Sequence, residues 1–294
     1  YLDSLQAWAG TEAHPYESAG KAEVALAPAD SEISETRIQF EDEPPKIKYC
    51  VSGDFEGAVL KAKIANLYDK EIKVSNIELG KLFGEEEKKS ASGIIDFGVF
   101  PDTPYGQFRI EAWLEKDGKR ISPLNEIVIT RLKRPRYWGK DAPNSPFGSH
   151  FMSSPLTIKI MKAGGVNWAR LHDAGLDYIG WFWLEPEKGK WKFRDAEINR
   201  YRANQIKIFA QLGTTPKWAS YLSKVDTGRN WISYHDRYFQ PLSLDDFANY
   251  AKTVTARYKG VIDEYFVWNE PWVKAWWGIA YDKTKPGADG HITS

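Results

Sequence analysis

The sequence predicts two parts of different fold class, an N-terminal antiparallel β-sandwich and a C-terminal part built of parallel βα units. Residues 21–132 contain eight short strand-like runs separated by turns, which is the spacing of a sandwich. After residue 147 the strand-like runs alternate with helical patterns, which is typical of a parallel sheet. We therefore predict an accessory domain over 1–133, a Pro-containing linker over 134–146 and a second domain over 147–294.

The amino-acid composition limits which classes of molecule the protein is expected to bind. Forty basic residues balance forty acidic ones, so nothing predicts attraction to nucleic acid or to an anionic membrane surface. The single cysteine, Cys50, excludes an internal disulfide and a cysteine-built zinc site. No run approaches the roughly 20 apolar residues of a membrane span. No cofactor and no metal are expected, and a neutral ligand is the natural guess.

In the N-terminal part, apolar and polar residues alternate along the chain, as they do in strands with one buried face. Phe108, Ile110, Ala112 and Leu114 are apolar at every second position, and Asp117-Gly118 supplies a hairpin turn after them. A carbohydrate-binding module and a simple packing platform both fit. No cluster of titratable and aromatic residues occurs here, which favours the platform. The eight predicted strands are 21–27, 36–40, 46–51, 58–65, 72–79, 94–100, 107–115 and 126–132.

The C-terminal part has clear helix signals. Ser154-Pro155 is an N-cap followed by proline at the first helical position, and Gly164-Gly165 ends that helix. Ser243 begins another helix, which Gly260 stops. A long loop over 181–191 separates the second strand from the next helix. The predicted strands are 147–151, 168–171, 206–212 and 265–268, and the remaining helix is 195–204.

The last strand leads into Asn269-Glu270-Pro271. The run Tyr265 to Trp268 has no polar alternation, so we expect a strand covered on both faces. Pro271 lacks an N–H and disfavours the α region for Glu270, so the strand ends and the carboxyl is presented at the mouth of the sheet. A turn without chemical function is the alternative interpretation of the same tripeptide.

Tryptophan is the unusual feature of the composition. The chain has 13 Trp residues, and most of them lie in the C-terminal part. Aromatic faces stack on the C–H faces of sugar rings, although many of these side chains are expected to fill the core instead. The ten from residue 168 onward are Trp168, Trp181, Trp183, Trp191, Trp218, Trp231, Trp268, Trp272, Trp276 and Trp277.

Three segments carry a resemblance to a known family. They are Trp183 to Phe193 (WLEPEKGKWKF), Gln211 to Ser220 (QLGTTPKWAS) and Trp268 to Pro271 (WNEP). In this order and spacing, residues 147–277 resemble the retaining glycosidases of glycoside hydrolase clan A. Among the families of this clan, these segments most resemble those of family 39, and those of family 42 are also similar. The resemblance implies a (β/α)8 barrel and does not extend to the first 133 residues.

The resemblance also implies roles for individual residues. Glu270 would be the general acid/base, and Asn269 would bind the sugar 2-hydroxyl. Arg170 would support the nucleophile, although an ordinary ion pair with Asp173 or Asp177 is an equal alternative. Glu185 is implied to have a framework role. The other expected substrate-binding residues are His172, Trp218, Trp268, Trp272 and Trp276.

A second carboxyl is required by this chemistry, about 5 to 5.5 Å from the first in a retaining enzyme. In this clan the nucleophile ends strand seven, whereas the sequence stops at Ser294, soon after strand four. We therefore expect the first half of a barrel, whose remaining half comes from the same or a cleaved chain. Four βα units alone cannot close a barrel, and hydrolysis by this mechanism is not expected of them alone.

The sequence thus predicts a retaining glycoside hydrolase that acts on a neutral or weakly charged oligo- or polysaccharide, located outside the cell or in the periplasm. Two other functional classes of protein are consistent with some of these sequence features. One is a non-catalytic carbohydrate-binding protein that keeps the aromatic cleft. The other is a structural β-sandwich protein in which every aromatic side chain belongs to the core.

Overall fold

The computed structural model describes residues 21–79, 90–98, 100, 105–142, 144–221, 237–273 and 276–277. It divides into two compact units, Tyr1–Arg134 and Pro135–Ser294. The structure is mostly β, with three sheets and few helices among the described residues. None of the helices in the described ranges is long and apolar enough to cross a membrane.

Unit 1 contains two sheets and one short 3₁₀ helix, Ser34–Thr36, in its described part. Strands β1, β3 and β6 form an antiparallel sheet in the order β1-β3-β6. The larger sheet has the order β2-β9-β7-β4-β5, with β8 paired to β7. The strands are β1 (Ala22–Pro28), β2 (Ile38–Phe40), β3 (Lys46–Gly53), β4 (Val59–Asn66), β5 (Glu71–Glu78), β6 (Ser90–Asp96), β7 (Gly106–Lys116), β8 (Lys119–Arg120) and β9 (Asn125–Leu132).

Both sheets of unit 1 contribute to one hydrophobic core. Ile47 and Ile95 enter it from the smaller sheet, and Leu60 and Ile110 enter it from the larger one. The period-two pattern along β7 therefore predicts the buried face correctly. The exception is β6, which begins at Ser90 rather than at Ile94, because its small and polar residues pair with β3 although they give no apolar signal.

Unit 2 contains a four-stranded parallel sheet in the order β10-β11-β12-β13. Helices lie between successive strands along the chain. The elements are β10 (Gly148–Ser149), α1 (Pro155–Ala163), β11 (Trp168–Leu171), α2 (Trp181–Leu184), α3 (Asp195–Ala203), β12 (Lys207–Leu212), α4 (Leu244–Arg257) and β13 (Glu264–Val267).

The helix N-caps form as the sequence predicts. The Ser154 hydroxyl accepts a hydrogen bond from the Thr157 N–H at 3.1 Å, with Pro155 in the first turn of α1. The Ser243 hydroxyl accepts one from the Asp246 N–H at 3.2 Å at the start of α4. Each cap satisfies a backbone donor that the helix itself leaves without a partner.

The core of unit 2 covers one face of the sheet. Ala169, Ile208 and Ala210 are fully buried in a cluster that also contains Trp181 and Tyr250. The rings of Trp181 and Tyr250 stack with their centroids 5.4 Å apart. Side chains at the alternate positions of β11, β12 and β13 lie on the opposite face, which carries the candidate site.

Three local predictions in unit 2 differ from the structure. The run at Tyr265 to Trp268 is not covered on both faces, because β13 is the end strand of the described sheet and Val267 remains 65% exposed. The first strand, β10, has two residues rather than five, since only Gly148 and Ser149 register with β11. The predicted loop over 181–191 also contains the short helix α2, which is too brief to show a helical period.

Two tyrosines of unit 2 whose hydroxyl groups are buried provide a test of this packing. The Tyr250 hydroxyl donates to the Ile179 carbonyl at 2.8 Å, whereas the buried Tyr265 hydroxyl has no hydrogen-bond partner among the described residues. We expect Tyr250→Phe to lower the free energy of unfolding by about 1 kcal/mol and Tyr265→Phe to leave it unchanged or raise it. Urea unfolding at pH 7 measures both, and equal losses would contradict the assignment.

The buried hydroxyl of Tyr265 also predicts how the stability of the protein depends on pH. Burial raises the pKa of Tyr265 to about 12, so the folded state keeps a proton that the unfolded chain loses near pH 10. The wild-type protein should therefore lose stability as the pH rises from 10 to 12. Tyr265→Phe should remove this part of the loss, as measured by unfolding at a series of alkaline pH values.

Candidate functional site

The chemically active side chains of unit 2 follow the carboxyl ends of the parallel strands. His150 comes directly after β10, His172 and Asp173 come after β11, and Asn269 and Glu270 come shortly after β13. Because the four strands are parallel and adjacent, their carboxyl ends lie at the same edge of the sheet. That edge is where open α/β sheets and α/β barrels bind their ligands.

Arg170 connects two of these strand ends. It lies on β11, and its Nη2 donates a hydrogen bond of 2.7 Å to the Oδ1 of Asn269, which follows β13. Its Nη1 lies 3.3 Å from the Nε2 of His150. Strand β12 separates β11 from β13, so this hydrogen bond joins the ends of two strands that are not neighbours in the sheet. Its described hydrogen bonds therefore go to Asn269 and His150, and not to Asp173 or Asp177.

An aromatic surface supports the guanidinium on its way across the sheet. The Cζ atom of Arg170 lies 4.6 Å from the centroid of the Phe266 ring. Phe266 in turn packs against Phe209 of β12, with 4.6 Å between ring centroids. Cation–π contacts of this kind hold an arginine flat and reduce the number of positions that its head can take.

The backbone after β13 has an unusual conformation. Trp268 has φ 59° and Glu270 has φ 45°, so two residues other than glycine occupy the left-handed region on either side of Asn269. Such residues cost about 1–3 kcal/mol each and cluster at functional sites. The Trp268 N–H donates to the Leu212 carbonyl at 2.8 Å, which fixes where the turn begins. In this turn Asn269 accepts the hydrogen bond from Arg170, and Glu270 is exposed to solvent.

Two histidines lie beside Arg170. The rings of His150 and His172 meet edge to face, with centroids 5.4 Å apart. Their Nδ1 atoms lie 3.6 Å and 3.1 Å from the carboxylate oxygens of Asp173. Burial lowers the pKa of His172, and the charge of Arg170 lowers it further, whereas Asp173 opposes the shift. His172 is therefore predominantly neutral at neutral pH.

Glu185 holds the loop that leads out of helix α2. Its Oε2 accepts from the Trp181 indole N–H and its Oε1 from the Gly189 backbone N–H, both at 2.7 Å. Its backbone carbonyl accepts from the indole N–H of Trp218 at 2.9 Å. The carboxylate is buried with both oxygens occupied, which agrees with a framework role and leaves it unsuited to acid–base chemistry.

Trp218 belongs to the same framework. Its ring meets Trp181 edge to face at 5.4 Å, and the Nζ of Lys188 lies 5.1 Å from its centroid. These partners, like Glu185, come from the segment 181–188, so the structure does not bring Trp218 into the group around Arg170. Its predicted part as a sugar platform stays a prediction.

The tryptophans around Glu270 have different surroundings. Trp268 is buried, its indole N–H donates to the Trp276 carbonyl, and its ring meets Trp277 at 4.7 Å. Trp276 is half-buried against Tyr238. Trp272 is 73% exposed. Of the three tryptophans near Glu270 that are predicted to bind substrate, Trp272 therefore has the aromatic ring most accessible to a ligand.

Three residues in the group around Arg170 are not among the predicted site residues. His150, Phe209 and Phe266 all contact Arg170 or its aromatic support. The available signal was period two along β12, where Ile208, Ala210 and Leu212 are apolar and buried while Phe209 lies on the other face. His150 gave no comparable signal, because β10 is too short to show a period.

No protein-family model matches the chain, and no curated protein sequence matches it. Solved structures give weak likenesses only. A β-glucosidase from Listeria innocua in complex with isofagomine has a TM-score of 0.25 and 8% identity, with 39% of this chain and 16% of that chain covered. The chain thus spans about a sixth of the length of that enzyme.

Two further likenesses are of the same strength. A β-glucuronidase from Bacteroides uniformis has a TM-score of 0.27 and 12% identity, covering 67% of this chain and 25% of that chain. The C-terminal domain of wzt has a TM-score of 0.29 and 12% identity, covering 46% of this chain and 87% of that chain. At these TM-scores none of the three decides the fold or the function.

The framework role of Glu185 can be tested against a neighbouring glutamate. Glu185→Gln places an amide NH2 opposite an N–H donor, so we expect the free energy of unfolding to fall by about 1–3 kcal/mol. Glu187→Gln is the matched control, because Glu187 is exposed and pairs only with Lys190 in the described loop. Its loss should stay below about 1 kcal/mol. Equal losses in urea unfolding would contradict the framework role.

Proposed function

We propose that the chain is part of a retaining glycoside hydrolase that cleaves O-glycosidic bonds in a neutral or weakly charged oligo- or polysaccharide. In this proposal unit 1 is an accessory β-sandwich. Unit 2 is proposed to be the first half of a (β/α)8 barrel of the clan A type, whose sequence motifs resemble those of family 39 and also those of family 42. The distant glycosidase likenesses agree with a carbohydrate-related function only in this coarse sense.

One observation carries the proposal. The hydrogen bond from Arg170 to Asn269 holds the amide at the carboxyl edge of the parallel sheet, and the next residue, Glu270, is exposed there. An amide fixed through its oxygen still has its NH2 free to donate to a sugar hydroxyl. A carboxyl next to it in the chain is then in place to meet the glycosidic oxygen of the same sugar.

The proposed reaction has two steps. Glu270 first donates its proton to the departing glycosidic oxygen while a second carboxylate attacks the anomeric carbon, and a glycosyl-enzyme forms. Glu270 then removes a proton from water, which attacks the anomeric carbon and releases the sugar. Arg170 acts as a positioning residue through Asn269. The second carboxylate is proposed to come from a later strand of the barrel, about 5 to 5.5 Å from Glu270.

Binding of the glycan is proposed to use the exposed face of Trp272, with His172 and Asn269 contacting hydroxyl groups. The remaining half of the barrel would be supplied by the same or a cleaved chain. A polysaccharide substrate fits a location outside the cell or in the periplasm. No nucleic acid or membrane partner is proposed.

Replacement of Glu270 tests the proposal in the full-length protein. With a panel of neutral aryl glycosides and oligosaccharides, Glu270→Gln should lower turnover by about 10²- to 10⁴-fold, the usual contribution of a general acid or base. The loss should be smaller for aryl glycosides whose leaving group needs no proton. Sugar binding, measured by tryptophan fluorescence, should be retained. Added azide should restore turnover of these activated substrates, because azide needs no general base.

Glu264→Gln is the matched control, since Glu264 is an exposed glutamate at the other end of the same strand. It should turn over substrate at the wild-type rate. Unchanged turnover in Glu270→Gln would contradict the catalytic assignment. Sugar binding by a wild-type protein that turns over nothing in the panel would instead favour the non-catalytic carbohydrate-binding alternative.

A further inference from the structure

We propose that His150, His172 and Asp173 form a binding site for a divalent first-row transition metal such as Zn²⁺. One ligand atom from each residue lies within 4.8 Å of the other two. His150 follows strand β10, and His172 and Asp173 follow the neighbouring strand β11, 22 and 23 residues later in the sequence. The inference does not depend on the proposed glycosidase activity.

The spacing of the donor atoms suits a small dication. The Nδ1 of His172 lies 3.1 Å from one oxygen of Asp173, and the Nδ1 of His150 lies 3.6 Å from the other. Zinc bonds of about 2.0–2.2 Å in a tetrahedron hold neighbouring ligand atoms about 3.4 Å apart. Both measured separations are close to that value, but they involve different oxygens of Asp173, and the three ligand atoms lie within 4.8 Å of one another. Side-chain rotation is therefore needed to close the three ligands around a metal.

His172 supplies a second, independent observation. It is 5% exposed, and neither of its ring nitrogens has a hydrogen-bond partner among the described residues. Its Nδ1 faces the Asp173 carboxylate closely, but without the alignment that a hydrogen bond requires. Buried polar atoms nearly always have a partner, and a bound ion is one of the explanations for those that do not. A metal between the Nδ1 of His172 and the Asp173 oxygen would give that nitrogen a partner, while the Nε2 would stay without one among the described residues.

The donor set determines the class of metal. Two imidazoles and one carboxylate suit Zn²⁺, Co²⁺, Ni²⁺ and Cu²⁺, whereas Mg²⁺ and Ca²⁺ prefer sites made of oxygen atoms. Three protein ligands also leave a fourth position, which water or a ligand hydroxyl can take, as in catalytic zinc sites. Asp173 is 62% exposed at its side chain, so the ion can reach the site from solvent.

Arg170 is the neighbouring charge that opposes the dication. Its Nη1 donates towards the Nε2 of His150, which therefore acts as the acceptor. A metal bound at the Nδ1 of His150 keeps a proton on that Nε2, so the contact with Arg170 is lost. The hydrogen bond from Arg170 to Asn269 uses the other nitrogen, Nη2, and is retained. Metal binding thus costs one hydrogen bond and leaves the link between strand ends in place.

Calorimetric titration of the full-length protein with ZnCl2, after dialysis against EDTA and then buffer, tests the site. We expect one equivalent to bind. Asp173→Asn and His150→Gln should each weaken binding about tenfold or more, because even the loss of an outer-shell partner costs about 10- to 100-fold. Both side chains are partly exposed, so the variants should fold, which the unfolding temperature in EDTA verifies.

Asp177→Asn is the matched control, since Asp177 is an acidic residue of the same loop outside the cluster, and it should bind Zn²⁺ as tightly as the wild type. Absence of binding by the wild-type protein would overturn the proposal. So would binding that persists unchanged in both Asp173→Asn and His150→Gln. In that case the ion is held elsewhere, for example by His14, His235 or His291, which lie outside the described residues.

Discussion

The hydrogen bond from Arg170 to Asn269 is the constraint on which the candidate site depends. It joins the end of β11 to the turn after β13 across an intervening strand, and the guanidinium rests on Phe266 as it crosses. Without it, the turn at 268–270 would have less reason to keep two left-handed residues. The contact therefore connects the sheet, the strained backbone and the exposed carboxyl of Glu270 in one arrangement.

Two carboxylates in similar sequence contexts have different surroundings. Glu185 and Glu270 each precede a proline and lie close to tryptophan. Glu185 is buried with both oxygens accepting hydrogen bonds, and it fixes the loop after α2. Glu270 is exposed, and its neighbour Asn269 is the residue that is held. Burial and the hydrogen-bond partners, rather than the local motif, therefore distinguish the enclosed carboxyl of Glu185 from the solvent-exposed one of Glu270.

Much of the fold is readable from the sequence where one face of an element is buried. The alternation in β7, the N-caps at Ser154 and Ser243, and the strand Trp168–Leu171 all form as predicted, because local signals and core packing agree there. The first four residues of strand β6 and helix α2 were not predicted, since pairing with β3 and tertiary packing form them without an apolar period. In the site, Asn269, Arg170 and His172 could be placed from their strands. His150 could not be placed in this way, because strand β10 has no recognisable pattern. Only its pairing with β11 shows that His150 lies beside the end of β11.

The coupling between Arg170 and Asn269 tests this account most directly. A double-mutant cycle with Arg170→Met, Asn269→Ala and the double variant, measured by urea unfolding, isolates the energy of that one contact. A hydrogen bond from a charged donor is worth about 1.5–3 kcal/mol, so the coupling energy should be at least about 1 kcal/mol. A coupling energy near zero would mean that the two side chains do not hold each other, and the site would lose its physical basis.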